Sequence, residues 1–69
     1  MGEAQFHQIM AEIVQAINDA GYDPFEQLTG YLKTGKDYYI TRTNGAREKI
    51  KTISNEQLQV YVSELQLKR

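Results

Sequence analysis

The stretch Gly21–Leu32, reading Gly-Tyr-Asp-Pro-Phe-Glu-Gln-Leu-Thr-Gly-Tyr-Leu, constrains the fold more than any other part of the chain. Gly21 is free to take the left-handed conformation that ends a helix. Asp23 can accept hydrogen bonds from the first free amides of the next helix, and Pro24 follows at the position where a missing N–H costs nothing. Glu26, three residues after Asp23, makes Asp-Pro-Phe-Glu close to a capping box. One helix must stop and another start within four residues.

The preceding residues show what that first helix is. Phe6, Ile9, Met10, Ile13, Ala16, Ile17 and Ala20 recur at helical spacing and form one apolar stripe on a helix over 3–20. Its other faces are polar, and His7 falls beside the stripe as a surface residue. The second helix, 24–33, is too short to persist alone and is anchored by Phe25, Leu28, Tyr31 and Leu32. Gly30 in its interior costs about 1 kcal/mol relative to Ala, which reads as a helix crossing, and Gly35 closes the helix. The segment 36–44 lacks helical periodicity and reads as a connector, with residues that favour an extended backbone and room for a short turn, and with Tyr39 and Ile40 pointing inward. Five of the seven aromatics lie between Tyr22 and Tyr39, so the connector and second helix are expected to share one aromatic cluster.

A third helix is predicted over 45–52, capped by Thr43 or Asn44, with Ala46 and Ile50 inward and Ile53 inward just beyond its end. Ser54-Asn55-Glu56-Gln57 is a capping box, flanked by Ile53 and Leu58 as a hydrophobic staple, and it starts a fourth helix over 55–66. Leu58, Tyr61, Val62 and Leu65 make its inner stripe, while Val60 and Leu67 lie off it. The expected fold is therefore all-α: a compact small bundle of four or five short helices in a single domain, 1–69.

A chain of 69 residues buries only about 60% of its unfolded surface, so its stability margin is narrow. There is no cysteine to form a disulfide or thiolate site, and the lone His7 cannot assemble a metal centre. Self-association is the remaining common source of stability, and Val60 and Leu67 are apolar residues left over for a twofold homodimer. No apolar run approaches the roughly 20 residues needed to cross a bilayer, and no secretory pattern opens the chain. The expected location is the cytoplasm.

Charge is segregated. Residues 1–32 carry five carboxylates and no Lys or Arg, whereas residues 33–51 carry Lys33, Lys36, Arg42, Arg47, Lys49 and Lys51 against Asp37 and Glu48. The basic segment offers an anionic partner a landing site, against the plainer reading of a solvated charged surface. Arg42, Arg47, Lys49 and Tyr38 are the partner-binding candidates. Arginine is favoured because its guanidinium makes paired contacts to carboxylate or phosphate. Thr41 and Thr43 are the phosphorylation candidates, since they lie in the least regular segment with cations near enough to bind the added charge. A catalytic or cofactor-binding set is not signalled: there is no nucleophile with a base, no Gly-rich phosphate loop and no metal-ligand cluster. The alternative function is a helix-turn-helix-like DNA binder, which the carboxylates of the first 32 residues disfavour by repelling phosphate.

The chain also resembles the IreB-like regulatory phosphoproteins. Members carry a Gly-Tyr-Asn-Pro turn, a short helix ending in Gly-Tyr-Leu, then Ser-Gly and a Tyr-Ile-Pro-Arg segment leading into Ala-Arg. The matching residues here are Gly21, Tyr22, Asp23, Pro24, Gln27, Gly30, Tyr31, Leu32, Gly35, Tyr39, Ile40, Arg42, Ala46 and Arg47, without a gap from Gly21 to about Leu67. The resemblance implies a small cytosolic helical homodimer of Gram-positive bacteria. It implies a substrate of a transmembrane Ser/Thr kinase that senses the cell wall, acting on another regulatory protein rather than as an enzyme. The family's phosphorylated threonines sit on an N-terminal arm, and Met1–Phe6 holds no Ser or Thr, so phosphorylation does not carry over residue by residue. Thr41 stands where the family has proline and Gly45 where it has an acidic residue, the marks expected of a diverged or truncated relative.

Overall fold

The apolar stripe of the first segment becomes α1 (Glu3–Asp19), with Phe6, Met10, Ile13, Ala16 and Ile17 buried along it. The computed structural model describes residues 2–67. The remaining helices are α2 (Pro24–Thr34), α3 (Ala46–Ile50) and α4 (Asn55–Leu67), with 3₁₀ turns at Asp37–Tyr39 and Thr43–Gly45 between α2 and α3. The described residues contain no strand. This is an all-α bundle, as the periodicity requires.

The turn between α1 and α2 has the physics its sequence calls for. Gly21 adopts φ +87°, and its N–H donates to the Asn18 carbonyl at 3.0 Å while the Tyr22 N–H donates to the Ile17 carbonyl at 3.1 Å. These are the paired bonds of a Schellman ending, which satisfy carbonyls left free at a helix C-terminus. Two residues later Asp23 caps α2, its Oδ1 accepting from the Phe25 N–H at 3.0 Å, with Pro24 in the first turn. Gly35, at φ +72°, closes α2 by donating to the Tyr31 carbonyl at 2.7 Å. At α4 the Ser54 hydroxyl accepts from the Gln57 N–H at 3.2 Å. It lies equally close to Gln57 Oε1, to which it donates. Ile53 and Leu58 beside this cap are both buried, as a staple demands.

α1 packs against α2 and α3, and α2 packs against α4. Between them lies one core that joins the α1 stripe to Leu28, Ile40, Ala46, Ile50, Ile53, Leu58 and Val62. Every buried member is apolar, so no desolvated charge has to be compensated inside. Ile40 is fully buried, which pins the connector to the core.

Four expectations change. The connector 36–44 holds more turn than its residues suggest, a 3₁₀ turn at Asp37–Tyr39 and a second turn at Thr43–Gly45 that passes through the left-handed region at Asn44, because Ile40 must reach the core while the chain reverses toward α3. The third helix is shorter than 45–52, and neither Thr43 nor Asn44 caps it. Its N-cap is Gly45 at φ +73°, preceded by Asn44 at φ +51°, with no side-chain cap bond. The threonines are otherwise engaged: Thr41 Oγ1 accepts from the Thr43 N–H at 3.2 Å and the two hydroxyls lie 3.0 Å apart. Gly30 is not a helix crossing, since the group lying over it is the side chain of Tyr39. The single aromatic cluster expected between Tyr22 and Tyr39 does not form: Tyr22 is 56% and Tyr38 60% exposed, and Tyr38 stacks on Tyr39 at the surface.

Candidate functional site

Arg42, Arg47 and Lys51 occupy one corner of the molecule, where the turn after Ile40 meets α3, while Lys49 points to α1. Arg42, Arg47 and Lys51 line a surface hollow of about 480 Å³ together with Asp37, Gly45 and Glu48. The exposed Tyr38 lies nearby in sequence and stacks on Tyr39, with ring centroids 4.9 Å apart and planes at 26°. Lys36 Nζ lies 5.8 Å from the centroid of the Tyr38 ring, within the range of a cation–π attraction.

The cations of this corner are not equivalent. Lys51 Nζ pairs with Asp37 Oδ2 at 3.0 Å, which ties the end of α3 to the first 3₁₀ turn. That hydrogen bond holds the Asp37 carboxyl below its usual 3.8, and it raises Lys51 above its usual 10.5. Lys49 Nζ pairs with Glu12 Oε1 at 3.3 Å and so joins α3 to α1. Arg47 Nε donates to the Ile40 carbonyl at 3.0 Å, so one edge of its guanidinium staples the connector. Arg42 is exposed and makes no ion pair or side-chain hydrogen bond among the described residues.

The candidates therefore separate. Arg42 and Arg47 come together around one hollow, Lys49 faces α1, and Tyr38 sits on the outer face of the first 3₁₀ turn. Thr41 and Thr43 flank Arg42, both half-buried and bonded to each other. Of the structural residues, Gly21, Asp23, Pro24 and Gly35 shape helix ends away from the hollow, while Gly30, inside α2, seats the Tyr39 ring. Sequence reasoning missed Gln27, whose Oε1 accepts from the Thr41 N–H at 2.9 Å and holds the connector from α2. It also missed the roles of Asp37 and Glu12 as partners of the two lysines. A separation of 14 residues or more carries no local signal for such pairs.

The described residues contain no group of three or more His, Asp or Glu that could hold a metal ion. No helix among them is long and apolar enough to cross a membrane. Nothing in the arrangement favours the DNA-binding alternative. α3 has five residues, too few for a recognition helix, and two of the basic residues in and beside it are occupied by carboxylates.

A protein-family model described as the IreB regulatory phosphoprotein matches residues 1–65. The chain belongs to that family. The match extends through α1, well beyond the Gly21–Leu67 span that carries the resemblance in the sequence. The family's description as a regulatory phosphoprotein gives this IreB family member a regulatory role.

Proposed function

We propose that this IreB family member is a non-enzymatic cytoplasmic regulator that acts through protein contacts and is acted on by a Ser/Thr kinase. The family membership supports the regulatory role, and the observation that carries the contact surface is Arg42. It is an exposed guanidinium without an internal partner, beside a second guanidinium whose Nε alone is engaged. Two such groups around one hollow suit a carboxylate or phosphate presented by another protein, since each can make paired contacts to planar anions. Thr41 and Thr43 are the proposed modification sites. A phosphate on either hydroxyl removes that O–H from their mutual contact and places a charge of about −2 next to Arg42.

The test has two arms. Arg42→Ala in an immobilised chain should lower recovery of the partner from native cytosol, with the melting curve unchanged. Recovery equal to that of the unaltered chain would remove the surface from the proposal. Incubation with the cognate kinase followed by peptide mapping should place label on Thr41 or Thr43, and label on neither would remove the modification sites.

A further inference from the structure

On another face of the molecule, α1 and α4 do not meet backbone to backbone. They are bridged by side chains, with the rings of Phe6 and Tyr61 edge to face at 6.2 Å. The gap leaves a hollow of about 370 Å³, floored by Phe6, His7 and Tyr61 and bordered by Glu3, Val60 and Glu64. On the far side of Val60 a second hollow of about 480 Å³ continues along α4 to Leu67. Val60 is 59% exposed and Leu67 86%, two apolar residues about two turns apart on the outer side of α4, with Ser63 and Glu64 between them.

The rim of the two hollows is acidic. Glu56 and Glu64 border both hollows and Glu3 borders the first, while none of the described lining residues is Lys or Arg. A twofold contact centred on Val60 would bring the Glu56 and Glu64 carboxylates of the two copies together, because such an interface pairs a patch with itself. Like charges brought together in a desolvated contact cost several kcal/mol, whereas opposite charges steer and fix the partner. Val60 and Leu67 among these carboxylates are the complement of an amphipathic helix with two apolar anchors on one face and a basic polar face.

We infer that the α1–α4 groove is a docking site for a basic amphipathic helical segment of another protein, with Val60 as its apolar contact and Glu56 and Glu64 as its charge contacts. This surface is separate from the Arg42 corner, and the inference stands whether or not that corner binds anything.

The probe is a pair of synthetic helical peptides sharing one apolar face, the first with Lys and Arg on its polar face and the second with Glu. Titrated into the isotope-labelled chain, the basic peptide should shift the amide resonances of Phe6, His7, Val60 and Tyr61 saturably. The acidic one should not. Glu56→Gln with Glu64→Gln should weaken the basic peptide about fivefold or more, as should added salt, because exposed charge pairs are each worth little and are screened. Val60→Ser, at an exposed position, should weaken it with the melting curve retained. Equal response to both peptides would overturn the inference, as would shifts confined to another face or no saturable shift at hundreds of micromolar peptide. Groove resonances that move with chain concentration in the absence of peptide would overturn it in favour of a second copy.

Discussion

The ring of Tyr39 lies against the bare Cα of Gly30, so closely that a Cβ built there would sit 2.8 Å from Tyr39 Cδ1. A glycine inside an 11-residue helix costs about 1 kcal/mol relative to Ala, and here the missing side chain makes room for an aromatic ring. That ring in turn holds the first 3₁₀ turn against α2. Gly30→Ala should therefore lower stability by about 1 kcal/mol or more, the overlap outweighing the gain in helix propensity. In a Tyr39→Ala background the same change should stabilise by about 0.5–1 kcal/mol, since only the propensity remains. Urea denaturation of the four-protein cycle reads the coupling, and the same sign in both backgrounds would refute the steric account.

Truncation of the core should be severe. Ile13 and Leu28 are fully buried on facing helices, and replacing either with Ala should cost about 2–5 kcal/mol. Small domains have total stabilities of about 5–15 kcal/mol, so either variant should melt far earlier or fail to fold. A far-ultraviolet circular dichroism melt decides this, with an unchanged curve excluding the residue from the core.

Arg47 should divide from Arg42 in stability. Losing the Nε bond to the Ile40 carbonyl should cost about 1–2 kcal/mol in Arg47→Ala. Arg47→Lys should not restore it, because an ammonium lacks the planar fork. Arg42→Ala should stay within about 0.5 kcal/mol of the unaltered chain. Thermal denaturation of the three variants side by side checks the order.

The Asp37–Lys51 pair should leave a mark on the pH profile of stability. Asp37 titrates lower in the folded chain than its usual 3.8, so its contribution is present above that pH and fades as pH falls through the folded value. Lys51 is raised above 10.5, and its contribution is complete below that pH and is lost as pH climbs through the folded value. The Tyr61 phenol is also raised from 10.0, by burial and then by the Glu64 charge, and adds its own alkaline loss. Asp37→Asn should therefore melt less steeply with acid than the unaltered chain, and the difference between the two should shrink in salt, as expected of an exposed pair. Parallel acid profiles would show the pair contributes nothing.

Helices α1, α2 and α4 and the caps between them were legible in the sequence, because each depends on residues within about one turn of one another, whereas the bounds and cap of α3 were not. Gly21, Asp23, Pro24, Gly35 and Ser54 act on backbone groups at most four positions away, and the stripes of α1 and α4 follow from the helical period alone. The segment 36–44 misled for the opposite reason: its conformation is set by distant groups. Gln27 holds Thr41 from α2, Arg47 holds Ile40 from α3, and Ile40 is drawn into a core built by all four helices. Without those partners Tyr38, Tyr39 and Ile40 show only an extended preference.

At the candidate site, sequence located the cations but not their partners. Charge segregation marked 42–51 as basic, yet only packing puts Lys49 against Glu12 and Lys51 against Asp37, leaving Arg42 unpaired. Local hydrogen bonding and the helical period determined where this chain turns and which faces it buries. The tertiary structure decided which charges remain available to a partner, because pairing between residues far apart in sequence depends on how the helices cross.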